Sequence, residues 1–365
     1  MKEDQLYKIA LTLIPNVGTV LSKNLISHCG GAKNVFESSR KNLMKIPSVG
    51  SKCATAILNS DILEKAEKEM AFMEKHEIRA LFYLDDDYPN RLKHYDNSPF
   101  LLYYRGNTDL NNARIVGIVG TRQPTVRGIN NCEKLVEGLA PYNVMIASGL
   151  AYGIDGIAHK KSVEYKIPTV GVMGTGMASI YPHEHKRLAS RMVQDGGILS
   201  EYTHESIPSR QHFPMRNRII AGMVDALVVV ESKIKGGSMI SALIANEYNK
   251  NVFAFPGRST DEQSAGCNAL IKNHQAQLID GVDDLVEIMR WEQLDASKEI
   301  QKQMFVELND EEQSLITLLK ESEEVSIDKI TYELKKPSSE IASLLLTLEF
   351  KGMVKTLPGK RYALC

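Results

Sequence analysis

Residues Val228–Ala242 read Val-Val-Val-Glu-Ser-Lys-Ile-Lys-Gly-Gly-Ser-Met-Ile-Ser-Ala. A β-branched apolar run ends in charge, passes through paired glycines and continues as a helical pattern from Met239 to Tyr248. This is the reading of a strand buried on both faces, a tight turn and a helix. The unit repeats along the middle of the chain. Strands are expected at Ile115–Val119, Val144–Ala147, Thr169–Met173, Ile198–Glu201, Ala226–Glu231 and Val252–Phe255, with a short last one near Gln277–Ile279. Helical segments alternate with them, so the fold class is α/β, a mainly parallel sheet covered on both faces. This block spans 66–290 with its core at about 101–280; residues 66–112 read as a connector and edge extension.

Two smaller blocks flank it. In residues 1–65, Ile14-Pro15-Asn16-Val17-Gly18 recurs as Ile46-Pro47-Ser48-Val49-Gly50, each copy between helical patterns. Helix, tight turn, helix, given twice, resembles tandem helix-hairpin-helix units. Gly18 and Gly50 would let the backbone approach a phosphate, with Lys23 and Lys52 as accessory contacts. Residues 291–306 are polar and read as a linker. Residues 307–365 pattern as three helices, the second capped by Ser326, and a hairpin turning at Pro358-Gly359, which resembles a winged helix. Its third helix carries Ile341, Leu344, Leu345 and Leu348 and no residue suited to reading base edges. Its bases Lys335, Lys336, Lys351, Lys355, Lys360 and Arg361 suit weak backbone or partner contact.

The chain of 365 residues is 43% hydrophobic, which supplies a core for two or three domains and excludes a disordered or collagen-like chain. Forty-four basic residues against 45 acidic ones give net charge -1. Capture of nucleic acid by bulk charge is excluded, and a local basic patch would be needed. Cys29, Cys53, Cys132, Cys267 and Cys365 are scattered without a C-x-x-C pair. A reducing, cytoplasmic setting is expected, with no structural metal. The N-terminus has acids where a signal peptide has bases, and no apolar run reaches membrane-span length.

In an open parallel sheet, ligands bind beyond the carboxyl ends of the strands. Those ends carry Gly120-Thr121-Arg122, Ser148-Gly149 through Asp155, Gly174-Thr175-Gly176 leading to Tyr181-Pro182, Phe213 through Arg218, Lys235 followed by Gly236-Gly237-Ser238, and Pro256-Gly257-Arg258. Glycine-rich strand-to-helix turns present free N–H groups and a positive helix end, and Arg122, Arg216, Arg218 and Lys235 add cations. The pattern is one for phosphate. Walker and nucleophile-elbow motifs are absent. Gly117-Ile118-Val119-Gly120 lacks the third glycine and ribose acid of a dinucleotide site. His183-Glu184-His185 lacks a third metal ligand and reads as a loop. Asp155, at a helix start, reads as an N-terminal cap. The residues favour holding a nucleic-acid backbone without cofactor or catalytic group.

The ordered set GTR at Gly120–Arg122, SGLAYGID at Ser148–Asp155, MGTGMASIYP at Met173–Pro182, LSEY at Leu199–Tyr202, FPMRNRIIAGM at Phe213–Met223, VVVESKIKGGSMISA at Val228–Ala242, VFAFPGR at Val252–Arg258 and SAGCNALI at Ser264–Ile271 resembles the DNA-processing protein A (DprA/Smf) family. The resemblance implies a doubly wound, Rossmann-like core and a non-catalytic protein that binds single-stranded DNA. It further implies protection of incoming strands in natural transformation, loading of the RecA recombinase, and a homodimer formed through the Rossmann-like domain. By that likeness, Arg122, Lys186, Arg216, Arg218, Lys235 and Arg258 are candidate backbone contacts. Gly120, Gly149 and Gly237 would give close approach. Thr121, Ser148, Asn217, Gly236 and Ser238 stand in the same motifs, and Tyr181 and Phe213 are candidates for stacking on bases. Two rivals stand beside this reading: a nucleotide-cleaving phosphoribohydrolase-type enzyme using Glu201 or Glu231, and a pure adaptor with a vestigial crevice.

Overall fold

Ile115 and Val119 pack on one face of the strand Ile115–Val119, while Val116 and Ile118 pack on the other. This two-residue period places apolar side chains on both sides, so helices must cover both faces. The computed structural model describes residues 2–59, 61–293, 308–320, 325–351, 353–357 and 361–364. The strands are β1 Arg79–Phe82, β2 Leu101–Gly106, β3 Ile115–Val119, β4 Met145–Ser148, β5 Thr169–Met173, β6 Gly197–Ser200, β7 Ala226–Val229, β8 Asn251–Ala254 and β9 Gln277–Leu278. They form one sheet in the order β1-β2-β6-β5-β4-β3-β7-β8-β9.

From β6 to β9 every pairing is parallel. The chain steps outward from β3 to β6, then crosses back through helix His212–Met223 to start β7 on the other side of β3. The switch point is therefore between β3 and β7, where diverging connections leave a crevice at the carboxyl ends. Helices His212–Met223, Gly237–Glu247 and Ala265–Lys272 bury residues on one face. Helices Val126–Leu139, Ile154–Glu164 and Val282–Met289 bury theirs on the other.

The connector at 66–112 contains more than its reading implied. It supplies β1 and β2, which pair antiparallel with each other and with β6. In β2, Leu101 through Tyr104 are all buried, so no alternation marks the strand. The helices of the first 75 residues share one apolar cluster with Phe82, Phe100, Leu101 and Tyr103, and Met1–Leu294 is one compact unit.

Within that helical block the repeat is exact in geometry. Val17 N bonds Ile14 O at 3.2 Å, and Val49 N bonds Ile46 O at 3.1 Å. The left-handed positions are Asn16 (φ 61°) and Ser48 (φ 68°), not the glycines. Gly18 and Gly50 are extended at φ -87° and -85°, and a Cβ at either would meet open space. The turn thus needs no glycine for its bend. Lys23 departs from its expected role, because its ammonium is tied to Asp96 O at 3.2 Å and Ser98 Oγ at 2.8 Å. Lys52 is exposed.

The second unit, Asp295–Cys365, contains helices Asp310–Lys320, Ile327–Leu334 and Ser338–Phe350 and a small sheet of Val325–Ser326, Val354–Leu357 and Arg361–Leu364. It is a winged helix. Ser326 Oγ accepts from Lys329 N, and Ile341, Leu345 and Leu348 are buried. Two of its bases serve the fold: Lys336 pairs with Glu311, and Lys351 bonds the buried Glu312 at 2.7 Å. The expectations for Pro358-Gly359, Lys360, Cys365 and all but the first three linker residues lie outside the described residues.

His159 sits fully buried between helix Ile154–Glu164 and the sheet. Thr169 Oγ1 donates to Ile146 O at 3.1 Å, so at 2.7 Å it accepts from His159 Nδ1. Burial holds the imidazole pKa down at about 3, with His185 and Arg216 adding to the effect. Above pH 6.5 neither folded nor unfolded chain protonates here. Below it only the unfolded chain does, so stability is lost as pH falls from 6.5 toward 3. At pH 5 the loss amounts to about 2 kcal/mol. Urea unfolding at pH 7 and pH 5 checks this: His159→Gln should lose less between the two than the parent chain, and an equal loss would contradict it.

Candidate nucleic-acid interface

Three strand-end loops are stitched together by backbone contacts at the switch point. Thr121 N donates to Glu231 O at 2.7 Å, and Ile154 N donates to Thr121 O at 3.2 Å. Gly153 (φ +74°) makes this approach possible, since a Cβ there would lie 2.2 Å from Thr121 O. Glu231 is buried, and its carboxylate accepts from Thr125 N at 2.8 Å and Thr125 Oγ1 at 2.7 Å. Thr125 in turn caps helix Val126–Leu139.

Beneath these loops lie a buried arginine and a buried carboxylate. Arg216, 4% exposed, donates through Nη1 to Gly149 O at 2.5 Å and to Val172 O. Asp155, also buried, accepts from Gly149 N at 3.1 Å. Gly149 leaves room for both: a Cβ would stand 2.5 Å from Asp155 Oδ2 and 2.6 Å from Arg216 Nη1. Burial lowers the Arg216 pKa to about 10 against the pull of Asp155. Burial raises that of Asp155, with Arg216 opposing. Asp155 is thus a loop-closing carboxylate rather than the expected cap; Gly153 holds the cap position.

Several candidate contacts therefore face inward. Arg216 belongs to that pair. Arg218, 8% exposed, donates to Glu201 Oε1 at 2.5 Å. Ser148 Oγ donates to Ile118 O at 2.5 Å, and Ser238 Oγ to Ser232 Oγ at 2.8 Å. Arg216, Arg218, Ser148 and Gly149 are scaffold, because all four are buried and bonded within the protein, Arg218 through Nη2 while its Nη1 is buried without a hydrogen-bond partner among the described residues. The sequence pattern could not separate these from solvent-facing cations, since FPMRNR carries both arginines two residues apart.

Others face solvent. Arg122 is exposed, and its guanidinium carbon lies 5.5 Å from the Phe213 ring centroid. Phe213 and Tyr181 stand 5.7 Å apart between centroids, Tyr181 being exposed. Cation and rings form one ledge. Along the crevice, Asn217 Nδ2 reaches Gly237 O at 3.5 Å. Exposed Gly237 begins helix Gly237–Glu247, with Gly236 at its cap and Lys235 exposed beside it. A Cβ on Gly237 would meet nothing within 4 Å. Gly120 packs on Ile154 instead of opening a surface. Lys186 and Arg258 are exposed at the start of helix Lys186–Asp195 and beyond β8.

A cavity of about 890 Å³ opens beside Arg122, between helices Ile154–Glu164 and Lys186–Asp195, lined by Lys160, Arg187 and Arg191 with Tyr152 and Glu184. Sequence reading missed these bases. Their signal was the four-residue spacing of Arg187 and Arg191, which puts them on one helix face. The expected loop His183–His185 is a single turn, with Glu184 Oε2 accepting from Tyr152 OH at 2.6 Å.

The family profile of DNA recombination-mediator protein A matches residues 79–290, and that of the DprA winged helix domain matches 306–360. The chain belongs to the DprA/Smf family. Protein Smf of Synechocystis sp. is 31% identical over 394 residues, covering 98% of each chain. DNA processing protein DprA of Streptococcus pneumoniae is 40% identical over 204 residues, covering 56% of this chain and 72% of that one. The crystal structure of DprA from Streptococcus pneumoniae aligns with a TM-score of 0.65 at 30% identity, over 80% of this chain and 99% of that one. DprA from Helicobacter pylori, whose structure is described for its single-stranded DNA binding mode, aligns at 0.54 and 29%, over 59% and 98%.

In this DprA/Smf chain, truncating the buried and the exposed arginine should have opposite consequences. Arg216→Ala strips the donor from the Gly149 and Val172 carbonyls and the counter-charge from buried Asp155, and should cost about 3–5 kcal/mol of stability. Arg122→Ala should stay within about 0.5 kcal/mol of the parent, as an exposed substitution does. Thermal unfolding of both variants checks this, and equal unfolding midpoints would contradict the assignment.

Proposed function

We propose that this chain is a non-catalytic single-stranded DNA-binding protein of the cytoplasm that protects incoming strands and loads the RecA recombinase in natural transformation and recombination. It would act as a homodimer through the Rossmann-like domain. The observation that carries the binding is the ledge of Arg122, Phe213 and Tyr181, a cation and two rings side by side on the surface of the switch-point crevice. A single strand offers phosphates to the cation and unpaired bases to the rings, whereas a duplex withholds its base faces. Lys235 and the start of helix Gly237–Glu247 extend the anion-binding surface along the same crevice. Membership of a recombination-mediator family and the DNA-binding relative from Helicobacter pylori support the same reading.

Chemistry is disfavoured by how the two strand-end carboxylates are used. Glu231 holds Thr125 through both oxygens, and Glu201 holds Arg218 through Oε1 while its Oε2 is buried without a hydrogen-bond partner among the described residues. Among the described residues no helix is long and apolar enough to cross a membrane.

Fluorescence anisotropy of a labelled oligothymidylate, alone and duplexed, across a salt series tests the proposal. Single strand should be preferred. Arg122→Ala should lower the slope of log affinity against log salt by about 0.7, the loss of one phosphate contact. Phe213→Ala should cost about 1–3 kcal/mol of binding with little change in slope. Equal affinity for both forms, or an unchanged slope in Arg122→Ala, would overturn it.

A further inference from the structure

The cavity beside Arg122 is basic on three sides and is not explained by the ledge. Lys160 projects from one helix, Arg187 and Arg191 from the other, and Arg122 closes the end nearest the crevice. All four are exposed, and among the described residues none is in an ion pair. A protein that leaves four cations unpaired around one groove maintains a positive potential there. The wall's one acid, Glu184, is held by the Tyr152 hydroxyl, and the Tyr152 ring is 40% exposed. A neighbouring cavity of about 660 Å³ shares Glu184, Arg187 and Arg191 and adds Lys186. The cations therefore continue from Arg122 by way of Arg187 and Arg191, which line both cavities, to Lys186.

We propose that this groove carries the strand onward from the ledge, with Lys160, Arg187 and Arg191 meeting successive phosphates and Tyr152 facing a base. The inference rests on the reading of the crevice as a strand-binding site. It assigns an exit path of defined direction, from Arg122 toward Lys186. It also explains Lys186, which lies apart from the Arg122 ledge yet at the end of this surface. The occupant is a continuous polyanion, because the cations are spread along a groove instead of converging on one point.

The test uses the full chain with labelled oligothymidylates of 6 and 20 nucleotides, titrated across a salt series. The longer strand should show a steeper salt slope, by about two units, as three added phosphate contacts require. In the double variant Arg187→Ala/Arg191→Ala most of that length-dependent increment should vanish. Arg187→Lys/Arg191→Lys should keep it, which separates lost charge from a damaged fold. Glu184→Gln should tighten the 20-mer a few-fold. If the alanine double variant keeps the parent's 20-mer slope while Arg122→Ala weakens both lengths, the groove is not on the path and the crevice reading stands. If Arg122→Ala also changes neither length, both fall.

Discussion

The Arg216 guanidinium lies under the crevice, bonded to the carbonyls of Gly149 and Val172 and beside the Asp155 carboxylate. It fastens helix His212–Met223 to the carboxyl ends of neighbouring strands β4 and β5, on one side of the switch point. A buried cation is tolerated only with its donors satisfied and a counter-charge nearby. That requirement dictates Gly149, where any side chain would displace one partner, and the turn that returns Asp155. Phe213, one turn earlier on the same helix, is thereby set beneath Arg122. The exposed ledge of Arg122 and Phe213 thus rests on two buried groups, Arg216 and Asp155.

The architecture was largely legible from sequence because parallel strands buried on both faces leave long β-branched runs, and glycines mark the turns after them. The strand at 101–106 is not legible in LLYYRG, since Leu101 through Tyr104 are all buried and leave no alternation. At the site, residue types were legible and their directions were not. Arg216, Asn217 and Arg218 follow one another on a helix, yet the arginines are buried and Asn217 faces Gly237. Whether a cation faces carbonyl or solvent depends on helix phase against the sheet, which spacing alone does not fix. The same limit hid Lys160, Arg187 and Arg191, which converge only when two helices are packed side by side.

The helical repeats, packed on the edge of the sheet block, and the winged helix, around its own apolar cluster, both give up part of their basic charge to internal bonds. Lys23 is fixed to the loop at 96–98, and Lys351 neutralises a buried glutamate. At the carboxyl edge of the sheet and the groove beside it, Arg122, Lys160, Arg187, Arg191 and Lys235 stay exposed. A chain of net charge -1 has no bulk positive field, so attraction of a polyanion would depend on a local patch of this kind.

Amide hydrogen exchange of the full chain with and without oligothymidylate is the most direct test of where the strand lies. The account predicts added protection in the turn at 121–124 and at the helix start at 236–239, with the amides over the Arg216–Asp155 pair slow to exchange in both states. Protection confined to the helical repeats or to the winged helix, with those two turns unaffected, would contradict it.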